Sequence, residues 1–163
     1  MTVCFLRHGE AVESPSLQDS ERPLSKLGLQ QGSTAGKFLR RMGTSIGRII
    51  ASPLLRAQQM AAAVQQELDS PPISTSESLL SSSAPQQILE QLQSLSVPGL
   101  LLVGHEPHLS KVISLLMSGD EGQKVELKKG SLACVEIPPP LEPGRGILKW
   151  LVTFAQMGPP DQP

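Results

Sequence analysis

Aromatic residues are scarce in this chain of 163 residues, which has one Trp, three Phe and no Tyr. This composition argues against a surface that binds single-stranded nucleic acid by stacking on its bases. An excess of one charge is also missing, because the formal net charge is −1 and no long basic run occurs. We therefore expect neither nucleic acid nor an anionic membrane as a partner.

Long apolar runs and cysteines are equally rare. No window approaches the roughly 20 apolar residues of a membrane-spanning helix. The apolar stretch at residues 3–6 is too short for a signal peptide and lacks a basic leader, so a cytoplasmic protein is expected. Cys4 and Cys134 each lie in an apolar, strand-like run. This setting favours buried, reduced thiols over a disulfide or a metal site.

What the chain does have is an alternation of short apolar runs with helical periodicity. Runs typical of buried parallel strands occur at residues 3–6, 49–51 and 100–103, and a shorter strand is predicted at 73–75. Helices are predicted to begin near Ser25, Ala57, Pro85 and Leu109. In the first helix, small residues that include Gly28, Gly32 and Gly36 form a narrow face, which we expect to lie close on a sheet.

The last third of the chain differs in character. Residues 132–137 and 147–154 are interpreted as two strands joined through prolines and a Pro-Gly turn, hence a hairpin at a sheet edge. Residues 158–163 are predicted to be a disordered tail. The remaining residues, 1–157, suit a single domain by length. The alternation of strands and helices predicts a three-layer α/β domain, an α/β/α sandwich.

Residues with phosphate chemistry follow three of the predicted strands, at the point where each strand ends. Arg7 and His8 follow the first strand, Arg56 lies one helical turn beyond the second, and His105 follows the run that ends at Val103. Ligands of open α/β sheets bind beyond the carboxyl ends of the strands, so these side chains should converge. Two guanidiniums suit a phosphoryl group, and their charge should keep a nearby imidazole neutral and therefore nucleophilic.

Each of these residues also has an interpretation without catalysis. Arg7 and His8 could be a satisfied surface pair, and His105 with His108 could be half of a zinc site. Against zinc, both cysteines lie within strands, and Glu106 alone, which we expect to be exposed, is insufficient. We therefore predict no metal, and we expect His108 to be a first-turn helix residue.

Three motifs in the chain resemble those of the histidine phosphatase superfamily, also called the phosphoglycerate mutase-like family. Residues 7–10 (Arg-His-Gly-Glu) resemble its R-H-G motif, and residues 104–107 (Gly-His-Glu-Pro) resemble its second-histidine motif. Residues 52–59 resemble S-P-x-x-R-A-x-Q-T but depart from it at Gln59 and Met60, where a Gln-Thr pair is usual. The agreement runs from residue 2 to about residue 154. The resemblance implies a mixed, mainly parallel sheet flanked by helices and no cofactor.

Carried over position by position, the resemblance also implies the roles of the site residues. His8 would become phosphorylated, and water would hydrolyse the phosphohistidine. The phosphate pocket would be formed by Arg7, Arg56 and His105, with His105 donating a proton or a hydrogen bond. The positions next to these motif residues are expected to contribute to substrate binding, namely Gly9, Ser52 and Glu106.

Within the superfamily the chain most resembles the SixA-type protein phosphohistidine phosphatases. Residues 19–28 are similar to the D-x-x-R-P-L-[ST]-x-x-G segment of that group. This likeness would put Arg22 on the substrate side of the pocket, although a solvated loop arginine fits equally well. The chain also has no room for the inserted segments that cover the pocket in mutases, so its longest loop over the site spans residues 10–24. An open, shallow site would admit a phosphorylated protein, for instance a histidine phosphotransfer domain.

A clear acid for an alkoxide leaving group is missing from the sequence. The mutase-like branch places one in the region of residues 77–85, where only Glu77 is acidic and a solvated strand end is expected. Glu10, Asp19 or Glu106 could serve instead, or Glu10 and Asp19 could support the pocket from behind. Because imidazole leaves more readily than an alkoxide, the missing acid suits a P–N substrate. Two alternatives stay open: a small-molecule phosphomonoesterase acting on a sugar phosphate or nucleotide, and a phosphate-recognition module without turnover.

Overall fold

The computed structural model describes residues 1–158, and within them six strands alternate with four helices. The strands are β1 (Thr2–Arg7), β2 (Arg48–Ala51), β3 (Ile73–Thr75), β4 (Gly99–Gly104), β5 (Leu132–Glu136) and β6 (Ile147–Val152). The helices are α1 (Lys26–Arg41), α2 (Leu55–Gln65), α3 (Pro85–Gln93) and α4 (His108–Ser118). The predicted elements are thus confirmed. The predicted disordered tail lies, apart from Gly158, outside the described residues.

The strands form one sheet in the order β3-β2-β4-β1-β5-β6. The first four strands in this order are mutually parallel, whereas β5 pairs in the antiparallel direction with both β1 and β6. This is the mixed, mainly parallel sheet implied by the resemblance, with the predicted hairpin at one edge. Because β4 lies between β1 and β2, the three strands whose ends carry the predicted site residues are immediate neighbours.

The central strands are buried because their residues are apolar on both faces. Every residue of β4 and the four middle residues of β1 are buried, as in parallel strands covered on both sides by helices. One core cluster joins the sheet to α3 and α4, and a second cluster joins the opposite face to α1 and α2. The predicted three-layer α/β/α sandwich is therefore confirmed. No helix within residues 1–158 is long and apolar enough to cross a membrane.

The glycine-containing face of α1 makes a different contact from the predicted one. The helix begins after Ser25, whose hydroxyl accepts a hydrogen bond from the amide of Gly28. A Cβ atom added at Gly28 would come within 2.1 Å of the Glu10 carbonyl oxygen, and one added at Gly32 would meet side chains of α2. These two glycines therefore let α1 approach the β1–α1 loop and α2, while Leu39 packs in the core cluster that includes β1.

Candidate active site

The ends of β1, β2 and β4 bring two histidines and an arginine into contact. The ring centroids of His8 and His105 are 5.1 Å apart, with 55° between the ring planes. Nε of Arg56, in the first turn of α2, lies 3.4 Å from Nε2 of His8. Arg7 precedes His8 and is the register partner of Gly104, the residue before His105. The structure brings His8, His105 and Arg56 into contact, and the backbone register of β1 and β4 places Arg7 next to them.

The backbone after β1 determines the tautomer of His8. Nδ1 of His8 lies 2.7 Å from the carbonyl oxygen of Gly9, an atom that can only accept. The proton of the neutral ring therefore resides on Nδ1, and Nε2 carries the lone pair. The Nε–H group of Arg56 points at this lone pair. His8 thus presents an unprotonated Nε2 toward the site.

Burial keeps both imidazoles neutral. The pKa of His8 is lowered to about 4, mainly by desolvation and also by the charges of Arg56 and Arg7, while the hydrogen bond to Gly9 opposes the shift. Desolvation likewise lowers the pKa of His105 to about 3, with added repulsion from His8 and Arg56. Guanidinium charge, which the sequence indicated as the reason for neutral histidines, is a smaller cause than the loss of hydration.

We predict that His8 and His105 remain neutral at about pH 5.5, where an ordinary histidine with a pKa of about 6.5 is mostly protonated. Because the pKa of His8 is depressed, its lone pair is available above pH values of about 4 and is lost as the pH falls through that value. Heteronuclear NMR of the histidine rings reports both the charge and the tautomer, and a His8→Asn variant assigns the signals. A His8 ring that titrates as an ordinary histidine would contradict this prediction.

Ser52 orients His105. The fully buried Ser52 side chain has its Oγ 2.7 Å from Nε2 of His105 and accepts a hydrogen bond from the amide of Leu54 at 3.3 Å. The single Ser52 hydroxyl proton can then be donated to Nε2, which places the His105 ring proton on Nδ1. Nδ1 of His105 is buried and has no hydrogen-bond partner within residues 1–158. In the tautomer whose Nε2 accepts from Ser52, Nδ1 is a donor free to bind a substrate oxygen.

Arg7 supplies a second donor of the same kind. Nη1 of Arg7 donates to the carbonyl oxygen of Leu127 at 2.9 Å, which anchors the guanidinium. Nε of Arg7 is buried and has no partner in the part of the chain that the structure describes. An unpaired buried donor costs on the order of 1–3 kcal/mol. An anion bound by both groups would remove this cost at Arg7 and His105 together, which makes the two donors a candidate anion site.

Asp19 holds Arg56 in place. Nη1 of Arg56 donates to the Asp19 carbonyl oxygen at 2.7 Å, and Nη2 donates to its carboxylate at 3.0 Å. The hydrogen bond from Arg56, assisted by one from Arg22, lowers the pKa of the Asp19 carboxyl. A carboxylate held ionised in this way is unsuited to donate a proton. The geometry favours a supporting role for Asp19 over the acid role that the sequence left open.

Arg22 lies at the rim of the site and is neither free in solvent nor in contact with the two histidines. Its Nε donates to the carbonyl oxygen of Val12 at 3.0 Å, and its Nη1 pairs with Asp19 at 3.1 Å. With three residues of the β1–α1 loop it lines a cavity of about 540 Å³. Arg22 therefore reaches the anion site only through Asp19.

Glu106 departs from the exposed position that the sequence suggested. Its side chain is half-buried because its carboxylate accepts hydrogen bonds from the amide and the hydroxyl of Ser110, in the first turn of α4. Burial raises the pKa of Glu106. The carboxylate of Glu10 also has a nearby partner, because it accepts a hydrogen bond from the Ser25 hydroxyl at 2.7 Å.

Gly9 and Gln31 connect the site to α1. A Cβ atom at Gly9 would come within 2.7 Å of Oε1 of Gln31 and 2.8 Å of Cα of Gly28. Oε1 of Gln31 accepts from the Glu10 amide at 2.8 Å, and its Nε2 donates to the carbonyl oxygen of Lys129 at 3.4 Å. Gln31 was not among the residues predicted from the sequence. The signal that could have indicated it is a long polar side chain on a helix face made mostly of small residues.

His108 is the first residue of α4, as predicted, and points away from His105. Its Nε2 lies 2.8 Å from the carbonyl oxygen of Ser78, whereas Nε2 of His105 faces Ser52. Among residues 1–158 no group of three or more His, Cys, Asp or Glu side chains is placed to hold a metal ion. The two histidines therefore serve different hydrogen-bond networks.

We predict that Ser52→Ala lowers turnover by roughly 10-fold or more, as expected for the loss of a residue that orients a ligand-binding histidine. The variant would leave Nε2 of His105 unpaired and its ring free to adopt the other tautomer. Steady-state phosphate release measures the effect. Ser114→Ala is the matched control, because Ser114 is equally buried but bonds the 120–123 turn beyond α4. Equal losses for both variants would assign Ser52 to stability alone.

At the ends of its parallel strands the sheet carries His8, His105 and Arg56, side chains whose chemistry suits a phosphoryl group. The family model described as histidine phosphatase superfamily (branch 1) matches residues 3–80. Phosphohistidine phosphatase SixA of Escherichia coli is 26% identical over 157 residues, covering 92% of each chain. Residues 3–80 of this chain are therefore similar to the histidine phosphatase superfamily.

Solved structures share this fold. The structure of the protein histidine phosphatase SixA complexed with tungstate superposes with a TM-score of 0.88 at 24% identity, covering 97% of this chain and 100% of that one. A phosphoserine phosphatase from Entamoeba histolytica, solved in complex with phosphoserine, matches with a TM-score of 0.69 at 13% identity, covering 94% and 97%. The fold is therefore SixA-like, and phosphatases with different substrates share it.

Proposed function

We propose that the protein hydrolyses phosphohistidine on a protein through a covalent phosphohistidine intermediate on His8. The observation that supports this most directly is a lone pair on Nε2 of His8 beside two buried donors, Nδ1 of His105 and Nε of Arg7, that are unpaired within residues 1–158. Phosphoryl transfer requires a nucleophile and a set of hydrogen-bond donors that bind the phosphoryl oxygens.

The proposed reaction has two in-line steps. Nε2 of His8 attacks phosphorus, the bond from phosphorus to the substrate imidazole breaks, and that imidazole leaves with the electron pair. The donors of Arg7, Arg56 and His105 bind the phosphoryl oxygens as charge redistributes. Water then attacks the phosphorus of phosphohistidine, and His8 leaves with the P–N electron pair. His8 requires no prior deprotonation because burial has already lowered its pKa to about 4.

The loop over the site supports a macromolecular substrate. Residues 15–21 are all exposed. The base of the loop is pinned by a bridge between Ala11 and Leu24 and by the amide of Val12, which donates to the Pro23 carbonyl oxygen at 2.8 Å. Asp19 also ties the loop to Arg56, so a loop held at these points and exposed along residues 15–21 would form a rim beside the site and not a cover over it. A phosphorylated side chain on a folded domain could therefore reach His8.

The acidic residues near the site favour a P–N substrate. Asp19 is held ionised by Arg56 and Arg22, and the Glu106 carboxylate is occupied by Ser110. An alkoxide leaving group needs a proton at the moment of bond cleavage, whereas imidazole leaves more readily. A second candidate function, small-molecule phosphomonoesterase, gains support from Glu106, because burial raises the pKa of its carboxyl and so favours the protonated form that could supply that proton.

Phosphate release from a substrate panel tests the proposal, with EDTA present throughout. The panel holds a histidine phosphotransfer domain phosphorylated on histidine, a phosphoserine peptide, a sugar phosphate and a nucleotide. We expect kcat/KM for the phosphohistidine protein to exceed that of each ester by at least about 10-fold. Reactions without enzyme correct for the intrinsic lability of phosphohistidine.

The other outcomes of the panel are equally informative. A preference for one of the esters would replace the proposal with the phosphomonoesterase function. Tight binding of the phosphorylated domain without phosphate release would indicate a recognition module. Loss of activity with EDTA would show that a metal ion takes part.

A further inference from the structure

The two cysteines of the chain face each other across a pair of antiparallel strands. Cys4 of β1 is the register partner of Cys134 of β5, and both are free and buried. Met1 and Ile137 exchange two backbone hydrogen bonds, at 2.9 and 3.0 Å. Because hydrogen-bonded and non-bonded pairs alternate along an antiparallel ladder, the cysteines form a non-hydrogen-bonded pair. Such pairs have Cα atoms about 4.5 Å apart, within the roughly 4.4–6.8 Å that a disulfide spans.

A cavity gives access to one of the two thiols. Cys134 lines a cavity of about 490 Å³ together with Thr2, Pro98 and Glu136. Thr2 begins β1, Pro98 precedes β4, and Glu136 ends the antiparallel strand β5, so the cavity lies at the end of the sheet opposite His8. Cys4 is fully buried behind it. An oxidant of small size could therefore reach Cys134 before Cys4.

A β-bulge shapes the wall of this cavity. Cys134 pairs with Trp150 and Val135 pairs with Leu148, so Lys149 is the extra residue of β6. Bulges commonly re-aim side chains at functional positions. Here Lys149 and Trp150 both line the cavity beside Cys134. The bulge therefore brings an ammonium group next to a buried thiol.

The surroundings make the two thiols unequal. The interaction with the Cys4 thiol and the charge of Lys149 lower the pKa of Cys134, whereas burial and the charge of Glu136 oppose this shift. The interaction with Cys134 and burial raise the pKa of Cys4. Lys149 is itself paired with Glu136 at 3.0 Å. Cavity access and the nearby Lys149 ammonium group together favour Cys134 as the thiol that reacts first, through its thiolate.

We propose that Cys4 and Cys134 form a dithiol redox site, oxidised by a peroxide that enters through the cavity. The Cys134 thiolate attacks a peroxide oxygen, an S–O bond forms, the O–O bond breaks, and the departing oxygen is protonated to water or an alcohol. The Cys4 sulfur then attacks the Cys134 sulfur of the sulfenic acid. An S–S bond forms, the S–O bond breaks, and the hydroxyl leaves as water with the Cys4 proton. The pair loses two electrons, and the peroxide gains them.

Hydrogen peroxide treatment of the reduced, folded full chain tests this proposal. Remaining thiols are alkylated after a time course, and intact mass and peptide mapping follow the products. We expect both thiols to disappear together, with the mass falling by two hydrogen atoms and a Cys4–Cys134 cross-linked peptide forming. Cys4→Ala is expected to accumulate a sulfenic acid on Cys134, trapped with a dione reagent. Cys134→Ala is expected to leave Cys4 unreacted.

The Lys149→Gln variant keeps both thiols. We expect it to slow the loss of these thiols during peroxide treatment severalfold. Oxidation of the two cysteines at equal and independent rates, or to higher oxides without a cross-link, would overturn the proposal. Absence of any reaction at peroxide concentrations that oxidise an exposed model thiol would also overturn it. Phosphatase activity of each variant before treatment verifies that the fold is intact.

Discussion

Replacing His8 with Ala is expected to abolish phosphate release, lowering kcat by at least about 10³-fold, because no other group can form the covalent intermediate. The acid-labile phosphoenzyme should disappear as well. Rapid quenching after mixing with a phosphorylated substrate measures the phosphoenzyme, and steady-state assays measure kcat. Circular dichroism establishes that the fold is retained.

His108→Asn is the matched control for this experiment. His108 is buried like His8, but its ring bonds the carbonyl oxygen of Ser78 outside the anion site. The control should still form phosphoenzyme. Undiminished hydrolysis by His8→Ala would remove the basis for the proposed nucleophile, whatever the substrate.

The second large effect is expected at Arg56. Arg56→Ala should lower kcat/KM by about 10²- to 10³-fold, because the variant loses the guanidinium that lies against Nε2 of His8 where phosphoryl charge would develop. Arg56→Lys should recover little of this, since an ammonium group lacks the fork that bonds Asp19 and a phosphoryl oxygen together. Assays on the phosphohistidine protein measure both variants.

Arg40→Ala provides the comparison, because Arg40 lies on α1 and donates to the Glu67 carbonyl oxygen, away from the strand ends. We expect its kcat/KM to stay within about 2-fold of the unmodified protein, as for surface substitutions that change stability little. A loss at Arg56 no greater than that at Arg40 would argue against phosphate binding by Arg56.

The sequence was sufficient to predict that His8, His105 and Arg56 lie together at the strand ends. Apolar runs end directly at Arg7 and before His105, and the carboxyl-end rule for α/β sheets brings such ends together. These are local signals combined with one topological rule. That these side chains lie together could be predicted without knowing the order of the strands in the sheet.

The hydrogen bonds that hold these side chains in place could not be predicted in the same way. Asp19 contacts Arg56 across 37 residues from a loop without periodicity, so no local pattern indicates the contact. The Ser52–His105 bond depends on side-chain rotamers that only packing determines. The dominance of burial over charge in lowering the pKa of His8 likewise requires knowing how deeply the ring lies.

The position of β4 has a consequence for how the protein acquires its activity during synthesis. Residues 1–80 contain Arg7, His8 and Arg56, yet β1 and β2 are each paired to β4 and do not contact each other through backbone hydrogen bonds. An emerging chain that stops before residue 99 lacks the strand that fills the gap between them. Such long-range parallel pairing is slow to form. A nascent chain should thus gain the ability to bind phosphoryl groups only when the middle of its sheet closes.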